Sequence, residues 1–152
     1  MKKEKICLAA SAGGHLNQLL ALSPVWQEYD FFFVTSLENA AGNLRKQART
    51  YVLGECNRQH PLRTCMVAFR ALKAVCKERP SIVLSTGAAP GFLICFWAKL
   101  FGAEIIWLDS IANINKLSLS GRLVRPFADL ILSQWPEVAA AYKRVEYAGE
   151  VV

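Results

Sequence analysis

The sequence predicts an α/β fold built on a doubly wound parallel sheet. Three observations carry this. Short apolar runs alternate with longer helix-like segments along the chain. Several runs, such as "ICLAA", "SIVLS" and "EIIWL", are apolar at nearly every position, as strands buried on both faces are. Two of the runs end in glycine-rich loops that pass straight into a helix.

In chain order, strands are expected near Lys5–Ala10, Asp30–Thr35, Tyr51–Leu53, Ser81–Ser85, Glu104–Leu108 and Asp129–Ser133. Helices are expected over His15–Glu28, Leu37–Ala48, Pro61–Glu78, Pro90–Phe101, Leu119–Phe127 and Pro136–Lys143. The tail "VEYAGEVV" reads as one more short strand. No repeat, low-complexity tract or linker interrupts the pattern, so residues 1–152 are expected to form one domain.

Composition narrows the classes. Hydrophobic residues make up 53% of the 152 residues, which argues against disorder. The net charge of +6 suits nucleic acid, an anionic membrane or a phosphorylated substrate, without choosing among them. Basic residues are dispersed and no RRM, KH or helix-turn-helix signature is present, so a nucleic-acid partner is not expected. The five cysteines show no CxxC or Cys/His zinc spacing, and most are expected to be small core residues in a reducing compartment. The basic start "MKKEK" precedes too short an apolar run for a signal peptide. The most apolar segment, "GFLICFWAKLFG", falls short of the roughly 20 residues a span needs and contains Lys99. A soluble or peripheral protein is expected.

In the common 3-2-1-4-5-6 strand order, strands one and four are neighbours where the winding reverses, and ligands bind beyond their carboxyl ends. That places Ser11-Ala12-Gly13-Gly14-His15 and "STGAAPG" (Ser85–Gly91) in one crevice. Gly13, Gly14 and Gly87 can take positive φ and admit a ligand close to the backbone. Each loop opens a helix whose first N–H groups attract anions, so a diphosphate fits between them. Taken singly, either loop is as well explained as a turn. The G-x-G-x-x-G and G-x-x-x-x-G-K-[ST] fingerprints are absent, which removes support for an NAD enzyme or a kinase-like NTPase. His15, at a helix start, is a candidate general base for a hydroxyl, or a simple hydrogen-bonding contact. Asp109, Ser110, Asn113 and Asn115 after strand five, with Gln134 and Trp135 after strand six, read as a polar set for sugar hydroxyls. Singly, Asp109, Ser110 and Ser118 read as helix caps.

Four stretches carry a resemblance: "SAGGHLNQLL", "VLSTGAAPGFLICFWAKLFGAEIIWLDS", "LSLSGRLVRPFADLILSQWPE" and "EYAGEVV". The chain resembles the acceptor-side subunit of the two-part N-acetylglucosaminyltransferase of the dolichol pathway, and more closely the PssD/CpsF-type proteins of bacterial capsule and exopolysaccharide synthesis. Where that family has Glu-Ser followed by an arginine, this chain has Asp109-Ser110 and Asn113. The resemblance implies a Rossmann-like, N-terminal-type half of a GT-B glycosyltransferase, hexosyl- or N-acetylglucosaminyl-type. It would bind a polyprenyl-diphosphate-linked acceptor, while a small partner subunit binds the nucleotide sugar. His15 would be catalytic. Ser11, Gly13, Gly14, Gly87, Asp109, Ser110, Asn113 and Gln134 would serve acceptor and phosphate. No metal or cofactor is implied, and no D-x-D motif is present.

Such an acceptor implies work on a membrane, at the cytoplasmic face of the inner or plasma membrane. The segment "PLRTCMVAFRALKAVCKERP" offers Met66 and Phe69 along a stripe with Lys73, among Arg63, Arg70 and Lys77. It reads equally as a core helix with a solvated basic face. The competing expectation for the whole chain is a non-catalytic membrane scaffold that recruits and activates the partner transferase. An exposed apolar docking face is expected as well, and the four tryptophans point to poor solubility of the lone chain.

Overall fold

The computed structural model describes residues 4–56 and 58–151. Among the described residues seven strands form one sheet: β1 (Lys5–Ala10), β2 (Asp30–Thr35), β3 (Thr50–Val52), β4 (Ile82–Gly87), β5 (Glu104–Leu108), β6 (Leu130–Ser133) and β7 (Val145–Tyr147). Their order is β3-β2-β1-β4-β5-β6-β7, with every neighbouring pair parallel. The expected six-strand order is therefore present, and β7 extends it from the tail. The basic start at Lys2 and Lys3 and the final Val152 lie outside the described residues.

The helices are α1 (Gly14–Ala21), α2 (Ser23–Trp26), α3 (Glu38–Leu44), α4 (Pro61–Glu78), α5 (Ala88–Leu100), α6 (Leu119–Val124) and α7 (Pro136–Ala141). The expected first helix is broken at Leu22, because Pro24 lacks an N–H and its ring would strike the carbonyl four residues back. α6 ends at Val124 rather than at the expected Phe127: Arg125 keeps helical dihedrals, but Pro126 after it lacks the N–H that a further turn needs.

Alternation along β1 explains the layering. Ile6, Leu8 and Ala10 join a cluster with Leu16, Leu19, Trp26 and Leu44 from α1, α2 and α3. Cys7 and Ala9 face the opposite cluster, with Val67, Ala71 and Val75 of α4, Ile94 and Ala98 of α5, Val124 of α6 and Val138 of α7. Both faces of the sheet are thus covered, as its all-apolar strands require.

Two expectations about the surface are corrected. Cys7 and Cys95 are fully buried, but Cys65 and Cys76 are exposed and Cys56 is half-buried, so most of the thiols are not core residues. Burial pushes the Cys7 and Cys95 thiols well up from their ordinary range. None of the four tryptophans is exposed. Trp26 and Trp107 are buried, and the indoles of Trp97 and Trp135 donate to the carbonyls of Ala68 and Ile111. The exposed apolar side chains are instead aliphatic or phenyl groups, such as Leu62, Met66, Phe69 and Leu100.

At the amino-terminal edge of the sheet, the buried Glu78 carboxylate accepts hydrogen bonds from Lys5 Nζ (3.1 Å), Arg49 Nη1 and the Tyr51 hydroxyl. Burial alone would raise its pKa; the bonds from Tyr51, Arg49 and Lys5 outweigh this and hold it at about 2. A depressed carboxylate stabilises the fold above its unfolded pKa of about 4.3, and that contribution fades as pH falls toward 2. Glu78→Gln is expected to cost roughly 1–3 kcal/mol near neutral pH, the lower figures reflecting the solvent screening of Lys5 and Arg49. Urea melts of both proteins from pH 7 to pH 2 check this. The gap should narrow in acid, and a constant gap would refute the assignment.

Candidate functional site

The two glycine loops meet at His15. Gly13 has φ +95°, a conformation that side chains with a Cβ rarely adopt, and its carbonyl accepts the Asn17 N–H at 3.0 Å to begin α1. Gly13 and Gly14 are exposed, with nothing within 4 Å of where a Cβ would stand, so the space above the helix start is open. The preceding Ala12 N–H donates to Ser36 Oγ at 3.0 Å, which ties this loop to the end of β2. Ser11 lies half-buried at the loop's entry.

His15 is half-buried, with Nδ1 2.9 Å from the Thr86 carbonyl oxygen. A carbonyl only accepts, so Nδ1 donates to it; in the neutral imidazole Nε2 is then the nitrogen with the lone pair. The Thr86 hydroxyl donates back to the His15 carbonyl, so β4 grips this residue by side chain and backbone together. Gly87, at φ +133°, leaves the room the ring needs: a Cβ there would lie 2.7 Å from Nδ1. The next residue, Ala88, has φ +72°, a strained value for a residue with a Cβ. Strain of this kind gathers where a loop is shaped for a ligand.

The second part of the predicted set lies at the carboxyl ends of β5 and β6, and the structure divides it. Asp109 is only 2% exposed. Its Oδ1 accepts from Trp107 Nε1 (3.1 Å) and Ser118 Oγ (2.6 Å), and its Oδ2 from Ser118 N (2.8 Å) and Asn113 Nδ2 (3.2 Å). Gln134, 1% exposed, donates to Gln18 Oε1 and to the Asp109 carbonyl, each at 2.9 Å, and accepts the Val151 N–H at 2.7 Å. Both side chains are committed inside the protein, where they organise the loop from Ser110 to Leu117. Ser110 and Asn113 are half-buried in that loop, joined by a turn in which the Asn113 N–H donates to the Ser110 carbonyl. The polar groups left facing the crevice are therefore fewer than the sequence suggests.

The capping expectation holds at Ser118, whose Oγ accepts the Gly121 N–H at 2.9 Å to start α6. A Cβ on Gly121 would sit 2.9 Å from Asp109 Oδ1 and 3.0 Å from Ser118 Oγ. The "LSLSGRL" stretch thus has a structural explanation that its sequence does not announce. Thr86, Ser36 and Gln18 belong to the site and were not singled out. A threonine inside "VLSTG" and a glutamine on an amphipathic helix carry no local signal of long-range bonds.

The family model described as "Oligosaccharide biosynthesis protein Alg14 like" matches residues 8–151. A protein of Yarrowia lipolytica named "UDP-N-acetylglucosamine transferase subunit ALG14" is 38% identical over 96 residues, covering 59% of this chain and 44% of that protein. The Mus musculus protein of the same name is 32% identical over 84 residues, 51% of this chain and 39% of that one. The chain spans less than half the length of these relatives. Among solved structures, Acinetobacter baumannii MurG matches with a TM-score of 0.78 at 14% identity, over 97% of this chain and 46% of that one. A UDP-N-acetylglucosamine 2-epimerase matches with a TM-score of 0.74 at 12% identity, over 98% and 49%. At such identities the likeness is one of fold: a Rossmann-like half of the GT-B type, as predicted from sequence.

Proposed function

Since this chain belongs to the Alg14-like family of oligosaccharide biosynthesis proteins, we propose that it is the acceptor-binding subunit of a two-part glycosyltransferase. The chain would act as one acceptor-binding domain, and a small partner would hold the nucleotide sugar. The observation that carries the reading is the meeting of both glycine loops at a histidine whose Nδ1 is engaged and whose Nε2 is free to accept. The diphosphate of a polyprenyl-linked acceptor lies at the start of α1, over Gly13 and Gly14, where unpaired N–H groups face it. Ser11, Ser110 and Asn113 border the acceptor sugar, and Asp109 and Gln134 hold their loop in place. His15 Nε2 takes the proton from the acceptor hydroxyl as that oxygen bonds to the donor's anomeric carbon. The bond from that carbon to the nucleotide diphosphate breaks, and the nucleotide leaves. The names of the relatives make UDP-N-acetylglucosamine the first donor to try.

The finer reading sets this transfer in bacterial capsule or exopolysaccharide synthesis. It rests on the motif resemblance, whereas the relatives described above are eukaryotic. Purified with its partner, the chain should support transfer from a nucleotide sugar to a polyprenyl-diphosphate sugar. Comparison of undecaprenyl with dolichyl acceptors separates the two settings. Absence of transfer to either acceptor by a stable complex would overturn the proposal.

The acceptor's lipid brings the subunit to a membrane, peripherally at its cytoplasmic face. Among the described residues no helix is long and apolar enough to cross one. On α4, Met66 and Phe69 are exposed beside Arg63, Arg70, Lys73 and Lys77, while Val67 and Val75 face the core. Each surface-near cation adds about 1 kcal/mol toward anionic lipid. Flotation with anionic vesicles is expected to succeed at low salt and to weaken at high salt. No flotation at low salt in the partner's presence would refute this; salt-resistant flotation would point to apolar insertion instead.

A further inference from the structure

We propose that the groove leading from the first glycine loop to the amino-terminal half of α4 binds the apolar chain of the lipid-linked acceptor. The inference rests on the reading above, which places a diphosphate at Gly13 and Gly14. A lipid diphosphate held there must lead its chain away along the protein, and the surface offers a route. A shallow cleft of about 370 Å³ runs from Ala12 and Gly13 to Leu37 and Ala40. Leu37 is also a wall of a second cleft of about 550 Å³, which continues past Leu62, Met66 and Val67, with Glu55, His60, Arg63 and Arg70 also lining it. Its size is within the ~300–1,000 Å³ of small-ligand clefts.

Aliphatic side chains line this route at its middle and its far end. Leu37 is 37% exposed, Met66 53% and Leu62 84%. Exposed aliphatic groups gathered along one cleft mark a surface that something apolar covers. The first cleft connects the route to the open space over Gly13. Its far end opens beside Met66, on the α4 stripe that continues to Phe69 and Lys73, the surface set against the bilayer. The same path therefore joins the phosphate end of the acceptor to the membrane that holds the rest of it.

The probe is a fluorescent farnesyl diphosphate analogue, titrated into the full chain in lipid-free buffer, with inorganic diphosphate and farnesol as competitors. The double variant Leu62→Glu/Met66→Glu should weaken analogue binding at least tenfold. Inorganic diphosphate should compete with the analogue in both proteins, with unchanged strength. Phe69→Glu, on the same exposed stripe but outside the cleft, should bind the analogue like the original chain. All three positions are exposed, so the fold should survive, and circular dichroism checks it. Unchanged binding in the double variant overturns the inference. So does an equal loss in Phe69→Glu, which would show that added negative charge on the exposed stripe, not the cleft, governs analogue binding. Farnesol binding that is sensitive to the double variant, with no competition by inorganic diphosphate, would keep the groove and remove the diphosphate from the glycine loop.

Discussion

His15→Ala is expected to lower sugar transfer by the assembled complex at least about a hundredfold, the usual scale for loss of a general base. The structure sharpens why. Thr86 takes the proton-bearing nitrogen through its carbonyl, Gly87 leaves the volume the ring occupies, and Nε2 is what remains for chemistry. His15→Asn is a useful companion, because a side-chain amide can still donate to a carbonyl but offers no basic nitrogen. It should be as inactive as the alanine variant while folding and pairing normally. The measurement is turnover at saturating donor and acceptor, with partner binding followed separately. A variant that pairs with its partner and turns over near the normal rate would remove the base role. The non-catalytic scaffold would then be the better account, with His15 at most a contact.

The second large effect is expected from omitting the partner: the 152-residue chain alone should give no detectable transfer. Among the described residues all seven strands belong to one sheet, and both glycine loops open at its carboxyl edge. Among the described residues there is no second sheet to bind a nucleotide sugar. A GT-B site lies between two α/β halves, and the solved structures that match this chain are about twice its length. On the two-subunit reading, the crevice at His15 is one wall of a cleft and the partner supplies the other. The assay compares the chain, the partner and the pair, with a nucleotide sugar and a polyprenyl-diphosphate acceptor. Full turnover by the isolated chain would refute the two-subunit reading.

Much of the fold could be read directly from residues. All-apolar runs such as "SIVLS" identify buried parallel strands, and Pro61 and the αL residue Arg79 bracket α4 as expected of helix ends. The winding reversal between β1 and β4 then brings the two glycine loops together. What could not be read was the direction of polar side chains at the sheet edge. Asp109 and Gln134 look alike in sequence whether they face a sugar or the interior. Their burial depends in part on distant partners: Ser118 lies 9 residues from Asp109, and Gln18 lies 116 from Gln134. Helix ends inside amphipathic runs were also misplaced, as at Leu22, because periodicity persists across a break that Pro24 imposes. The Thr86 grip on His15 spans 71 residues and leaves no local trace.

The Glu78 cluster and the glycine loops sit at opposite edges of the same sheet. Lys5 begins β1 and Glu78 ends α4 shortly before β4, with the Tyr51 hydroxyl reaching Glu78 from β3, whereas Gly13, His15 and Gly87 lie where β1 and β4 end. On the proposed reading, thermostabilising changes at the first edge are expected to leave recognition at the second undisturbed. Conversely, a library that varies the crevice loops to accept other sugars or lipids starts from a scaffold whose main ionic clamp is far from every randomised position. For an engineer, the molecule separates into a chassis and a workbench.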